Sequence, residues 1–286
     1  MSDRFISSVA IGALVGAVAL LAPCSVAAQD SASTTPTYVP PRTADGQPDI
    51  QGVWQASGGG PYSLEDLELG QLQTYRFELL NDPTRKRKSR IIDPPDGRIP
   101  YQPWAAALAK KYLDVHLDPP GPQFLDPVVH CVVHSVPRNM FLQEKEIFQT
   151  PGSIVFLHAP AHQYRIVRLD GRPPLGKDIH LYMGDSRGRW EGNTLVIESS
   201  NYTNKTWMDV VGSFHSEGVR LTERLTPIGP DAIDYQVRVE NPKVYTRPWT
   251  IGATTLTRLK DRAWEVMEEA CHEGEVDAKE ILYKAK

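Results

Sequence analysis

The stretch Met183-Gly-Asp-Ser-Arg-Gly-Arg-Trp-Glu-Gly-Asn-Thr-Leu-Val-Ile-Glu-Ser-Ser200 holds two short strands and two turns within 18 residues. Glycines recur at 184, 188 and 192, and Asp185, Arg187, Arg189, Trp190 and Glu191 lie between them. Gly192-Asn193 is turn chemistry, and the Thr194–Ser200 run that follows reads as a strand. Large charged side chains packed this densely beside an indole exceed what an exposed turn needs, and they mark the segment as a candidate pocket rim.

The same period extends in both directions. Strands are expected near 146–150, 153–158, 163–169, 178–183, 194–200, 218–226, 232–240 and 251–259. Pro151-Gly152, Asp170-Gly171, Gly192-Asn193 and Gly229-Pro230 supply turns between them. Sequential short strands with hairpin-length links predict a mainly β protein, an antiparallel meander closed as a lipocalin-like barrel or folded as a sandwich. Asp49-Ile50-Gln51-Gly52-Val53-Trp54 reads as the first strand, and alanine-rich 105–116 as a helix in the N-terminal half. A short helix is also expected within 65–80, and helices at the C-terminus over 261–270 and 277–285.

The first 28 residues read as a signal peptide: Arg4, then an apolar run of 12 residues from Ile11 to Ala22, then small residues at Val26-Ala27-Ala28. That run is shorter than the ~20 residues a membrane-spanning helix requires. A lipid anchor through Cys24 is the competing expectation, opposed by Pro23. Residues 29–48, rich in Ser, Thr and Pro, read as a flexible tether, and 49–286 as a single domain. A periplasmic or secreted location follows, with no membrane-spanning segment after cleavage. In an oxidising compartment the remaining cysteines, Cys131 and Cys271, are expected to form one disulfide that closes a loop of about 140 residues.

A net charge of −4 with interspersed signs argues against nucleic acid as a partner. The basic cluster Arg85–Arg90 reads as a solvated loop between Pro83 and Pro94. No P-loop, no GxGxxG and no Gly-x-Ser-x-Gly elbow occurs. His130 and His134 stand four apart, but Val132 and Val133 disfavour the helix that would align them, and no metal is expected.

Within 218–226, Val219, Leu221, Glu223 and Leu225 share one face by alternation, which puts a carboxylate in phase with the apolar set. Such a group is paired, hydrogen-bonded or protonated, and it serves either as a structural ion-pair member or as a general acid or base. His215 precedes this strand and His162 opens another, three residues before Arg165. Asp185 would orient a histidine and Arg187 stabilise developing charge; the alternative is an Asp–Arg lock within a turn. Tyr164, Arg165, Trp190, Trp207 and Trp249 complete the candidate pocket, with core packing the plainer role of the aromatics.

Gly52-Val53-Trp54 on a first strand resembles the Gly-x-Trp signature of lipocalin-type barrels. More broadly, PDIQGVWQ, DPPDGRIPYQPWA, HQYRIVRLDGRP, MGDSRGRWEGNTLV, FHSEGVRLTERL, ENPKVYTRPWT and EACHE resemble a family of secreted bacterial proteins without an assigned activity. The resemblance implies export and a compact β fold. The function expected from the residues is an exported enzyme doing cofactor-independent acid–base chemistry of lyase, isomerase or hydrolase type on a small organic molecule. The alternatives are a carrier of a small apolar ligand and a structural protein of the cell envelope.

Overall fold

A computed structural model describes residues 38–57, 62–67, 88–142, 144–160, 163–261, 264–266 and 271. In chain order the elements are β1 (Gly52–Ala56), β2 (Ile91–Asp93), α1 (Pro103–Val115), single 3-10 turns at Pro122–Phe124 and Pro127–His130, and the short α2 (Arg138–Phe141). Then come β3 (Glu144–Thr150), β4 (Ser153–His158), β5 (Tyr164–Arg168), β6 (Asp185–Glu191), β7 (Thr194–Ser200), β8 (Arg220–Gly229), β9 (Ala232–Glu240) and β10 (Trp249–Arg258). The expected signal segment, Cys24 and residues 29–37 of the tether lie outside the described residues; 38–48 of the tether are described, with Arg42 bridging Pro48 and donating to Asn193. Also outside them are 68–80 of the helix expected over 65–80 and nearly all of the C-terminal helices; Asp261 and residues 264–266 are irregular.

The strands close into a barrel rather than a sandwich. The ring runs β1-β3-β4-β5-β6-β7-β8-β9-β10, and β10 returns to β1 through Trp54↔Arg258 and Ala56↔Leu256. β2 adds to the first half of β10 on the same edge, at Thr250↔Asp93. The meander is not wholly antiparallel. β5 and β6 run parallel, pairing Val167↔Ser186 and Arg168↔Arg187, and the chain reaches β6 by a crossover over residues 169–184. The strand expected at 178–183 is part of this crossover. Leu181 makes an isolated bridge to Tyr202, and the real strand begins at Asp185.

Alternation fills the barrel. Leu221, Glu223 and Leu225 of β8 point inward while Arg220 and Arg224 face solvent; Ile233, Tyr235, Val237 and Val239 of β9 do the same. Trp54, Phe156, Ile197, Leu225, Tyr235, Trp249 and Leu256 are at most 1% exposed, so side chains occupy the axis. Each such side chain contributes about 1.5–3 kcal/mol by leaving water. Trp249 is therefore core rather than pocket lining, as β10 turns it inward against Tyr245. Among the described residues no helix is long and apolar enough to cross a membrane.

Cys131 and Cys271 are disulfide-bonded, with Cα atoms 5.8 Å apart and a sequence separation of 140. Arg90 departs from the expected solvated loop. It is 1% exposed, donates to the Thr254 hydroxyl and the Ser57 carbonyl, and lies over the Phe141 ring.

Candidate functional site

β5 carries the site because its two faces do different work. Arg165 and Val167 point into the barrel; Tyr164, Ile166 and Arg168 point outward. Arg165 is fully committed. Its terminal nitrogens donate to both Glu223 carboxylate oxygens at 2.9 and 2.5 Å, and its remaining donors reach the Ser186 and Ser199 hydroxyls. The Tyr235 hydroxyl donates to the same carboxylate at 2.9 Å. Burial works against the guanidinium charge, but Glu223 beside it outweighs burial and raises its pKa above the ordinary arginine value. Glu223 thus sits on the inward face where alternation placed it, paired with Arg165.

The other sequence candidates lie apart. His215, 4% exposed, has Nε2 3.1 Å from the Thr206 hydroxyl and Nδ1 3.2 Å from the Ser216 carbonyl. Burial pulls its pKa down to about 4, against a smaller opposing effect of the Ser216 carbonyl. His162 lies outside the described residues. Trp207 packs on Tyr112, and Trp190 packs half-buried against the core.

Asp185 and Arg187 open β6 and clamp the crossover above it. One Asp185 oxygen accepts from Arg187 and the other from the Leu175 N–H at 2.8 Å. Arg187 also donates to the carbonyls of Arg172 and Pro173 at 3.1 and 3.0 Å. Asn201 donates to the carbonyls of Gly176 and Ile179. Gly184 ends the crossover at φ +68°, where an added Cβ would stand 2.5 Å from the Tyr202 ring, so a left-handed residue without a side chain lets the chain turn into β6. The lock joins strand to crossover, rather than the two sides of one turn.

Between the crossover and the outer face of β5 lies a cleft of about 660 Å³, within the range of about 300–1,000 Å³ usual for small-molecule sites. Tyr164, Ile166, Leu181, Tyr182 and Met183 form its apolar walls. Four of these stay in contact with water: Tyr164 is 65%, Tyr182 42%, and Ile166 and Leu181 each 37% exposed. Across the crossover a second, more charged opening of about 790 Å³ is lined by Lys177, His180, Glu198, Glu217 and Arg220, and it shares Leu175, Asp185 and Arg187 with the first. Of the residues expected to line a pocket, Tyr164 and Arg165 reach the first cleft, joined there by Asp185 and Arg187.

Among the buried titratable groups that the sequence reading missed are Lys145, His158 and Asp209. Lys145 and His158 are register partners on β3 and β4, both 0% exposed. Burial lowers the Lys145 pKa to about 7 against the pull of Glu144. Burial, then Lys145 and Arg165, hold the His158 imidazole well below its ordinary value against the opposing pull of the Asn139 backbone. Both residues alternate in phase with Ile147 and with Ile154 and Phe156, the same signal that placed Glu223. Asp209 accepts from the N–H groups of Leu64 and Ser213 and from the Ser213 hydroxyl, and burial raises it to about 6 despite those bonds.

Among the described residues no three His, Cys, Asp or Glu side chains gather as a metal-binding set. The fold and cleft define the chain as a closed mixed β-barrel with a filled interior and an external, crossover-covered cleft. No protein-family model matches this chain, and no curated protein matches it in sequence.

Proposed function

We propose that the protein is an exported carrier that holds a small, largely apolar molecule in the cleft between β5 and the 169–184 crossover. The observation that carries this is the wall of partly exposed Tyr164, Ile166, Leu181 and Tyr182 around about 660 Å³. Apolar surface kept in contact with water at one place is a standing free-energy cost that an apolar ligand removes. The titratable groups that could move protons fit this reading, because Glu223, His215 and Asp185 each have protein partners. Export is supported by the apolar run Ile11–Ala22 with small residues at Val26-Ala27-Ala28, and by the Cys131–Cys271 bridge.

Titration with the neutral fluorophore Nile red tests it. A saturable blue-shifted enhancement is expected, lost in Ile166→Asp and Leu181→Asp while the melting temperature holds. Absence of enhancement in the unmodified protein would sink the proposal.

A second reading, proton transfer of lyase type, rests on Asp185, whose carboxylate borders both openings beside Arg187. It requires a substrate whose turnover Asp185→Asn abolishes without loss of binding.

A further inference from the structure

We infer that the ligand of the β5 cleft carries a single carboxylate, and that Arg168 is the residue that selects it. The inference rests on the carrier reading of the same cleft. Four arginines line the cavity, Arg165, Arg168, Arg172 and Arg187, against one carboxylate, Asp185, although Arg165 turns its guanidinium into the barrel. Three of the four are occupied. Arg165 is held by Glu223, Ser186 and Ser199; Arg187 by Asp185 and backbone carbonyls; Arg172 by Asp170, at 2.6 Å. Asp170 in turn is taken up by Arg172, through both its side chain and its N–H. Arg168 makes no side-chain hydrogen bond or ion pair among the described residues, and the nearby charge of Asp170 is already matched by Arg172. After pairing, one positive charge is left on the cleft wall.

Its position on the strand gives that charge a purpose. Tyr164, Ile166 and Arg168 alternate along the outer face of β5, so the wall reads aromatic, aliphatic, cationic in a straight row. Four residue steps at ~3.3 Å make the row about 13 Å long. An extended acid fits it lengthwise, with its apolar body along Tyr164 and Ile166 under Leu181 and Tyr182, and its head at Arg168. One uncommitted guanidinium balances one negative charge, and its planar fork matches both oxygens of a carboxylate. A phosphate monoester would bring a second charge with nothing left to meet it.

Displacement of Nile red by decanoate and by decanol separates the head from the tail. Decanoate is expected to displace the dye about tenfold more tightly than decanol, the effect of about one added charged hydrogen bond. Arg168→Gln should bring decanoate to the level of decanol, both measured on that variant; Arg168→Lys, which keeps the charge without the fork, should fall between. Equal displacement by acid and alcohol in the unmodified protein overturns the carboxylate and leaves the apolar cleft standing. Failure of Nile red itself to bind overturns both. Phosphatidylglycerol vesicles should leave the protein in the supernatant on sedimentation; co-sedimentation abolished by Arg168→Gln would assign the anion to a lipid surface and overturn the free acid.

Discussion

Arg165 and Glu223 stand on β5 and β8, three strands apart around the wall, and their side chains meet inside the barrel at 1% and 0% exposure. Removing one partner strands the other charge in a low-dielectric interior, which costs about 3–5 kcal/mol, whereas exchanging both for apolar groups is often nearly neutral. Glu223→Gln should therefore lower stability by about that amount in urea unfolding, and Arg165→Met with Glu223→Leu should recover most of it. If the double variant is as unstable as the single one, the hydrogen bonds to Ser186, Ser199 and Tyr235 matter more than the charge pair.

The bridge between Cys131 and Cys271 closes a loop of 140 residues. By the chain-entropy relation, its loss should cost up to about 5 kcal/mol. Cys131→Ser and Cys271→Ser should be equally destabilised, and alkylation with mass analysis of the oxidised protein should find neither thiol free. Unequal losses would point to strain or packing at one end instead.

Acid stability should show two opposing terms. His215 titrates at about 4 in the fold and ordinarily at 6.5, so the unfolded chain binds the extra proton and stability falls as pH drops through that window. Asp209 titrates at about 6 in the fold and ordinarily at 3.8, so the native state holds the extra proton and stability falls as pH rises through its window. Each is worth about 3 kcal/mol at ~1.4 kcal/mol per unit. Asp209→Asn should expose a steep acid loss, reinforced by His158, which shifts in the same direction as His215. His215→Gln should flatten that loss. Chemical unfolding between pH 4 and 7 reads both, and unchanged slopes in both variants would refute the assignment.

Gly184 and Gly192 share a positive φ, at +68° and +61°, but not their surroundings. A Cβ at 184 meets the Tyr202 ring at 2.5 Å, whereas one at 192 meets nothing within 4 Å. Gly192→Ala should cost about 1 kcal/mol from backbone conformation. Gly184→Ala should cost about 1–3 kcal/mol more, as overpacking does, and should weaken Nile red binding because the crossover shifts. Equal melting temperatures for the two variants would remove the packing claim.

Alternation made much of the barrel legible. It put Glu223 in phase with Leu221 and Leu225, and Gly192-Asn193 correctly marked the hairpin between β6 and β7. What a local pattern lacks is the identity of distant partners. Nothing near Arg165 names Glu223, 58 residues on, as its carboxylate. Residues 178–183 carry strand-like composition, yet the backbone of Leu181 bonds to Asn201 and Thr203 as part of a crossover. Trp249 and Tyr164 are both aromatic strand residues, and only the face each occupies makes one core and the other cleft wall.

The nine-strand ring obeys a parity rule. Neighbours that alternate up and down around a circle can satisfy every pair only when their number is even, so an odd circle must contain a like-directed pair. Here that pair is β5 and β6, and two strands pointing the same way cannot be joined by a hairpin. The chain must travel back along the outside before it re-enters, and the detour overhangs the strand it has just left. The cleft is where an odd count leaves its remainder. Adding or deleting one strand of the wall would let direction alternate all the way round, and the cleft would lose the mismatch that created it.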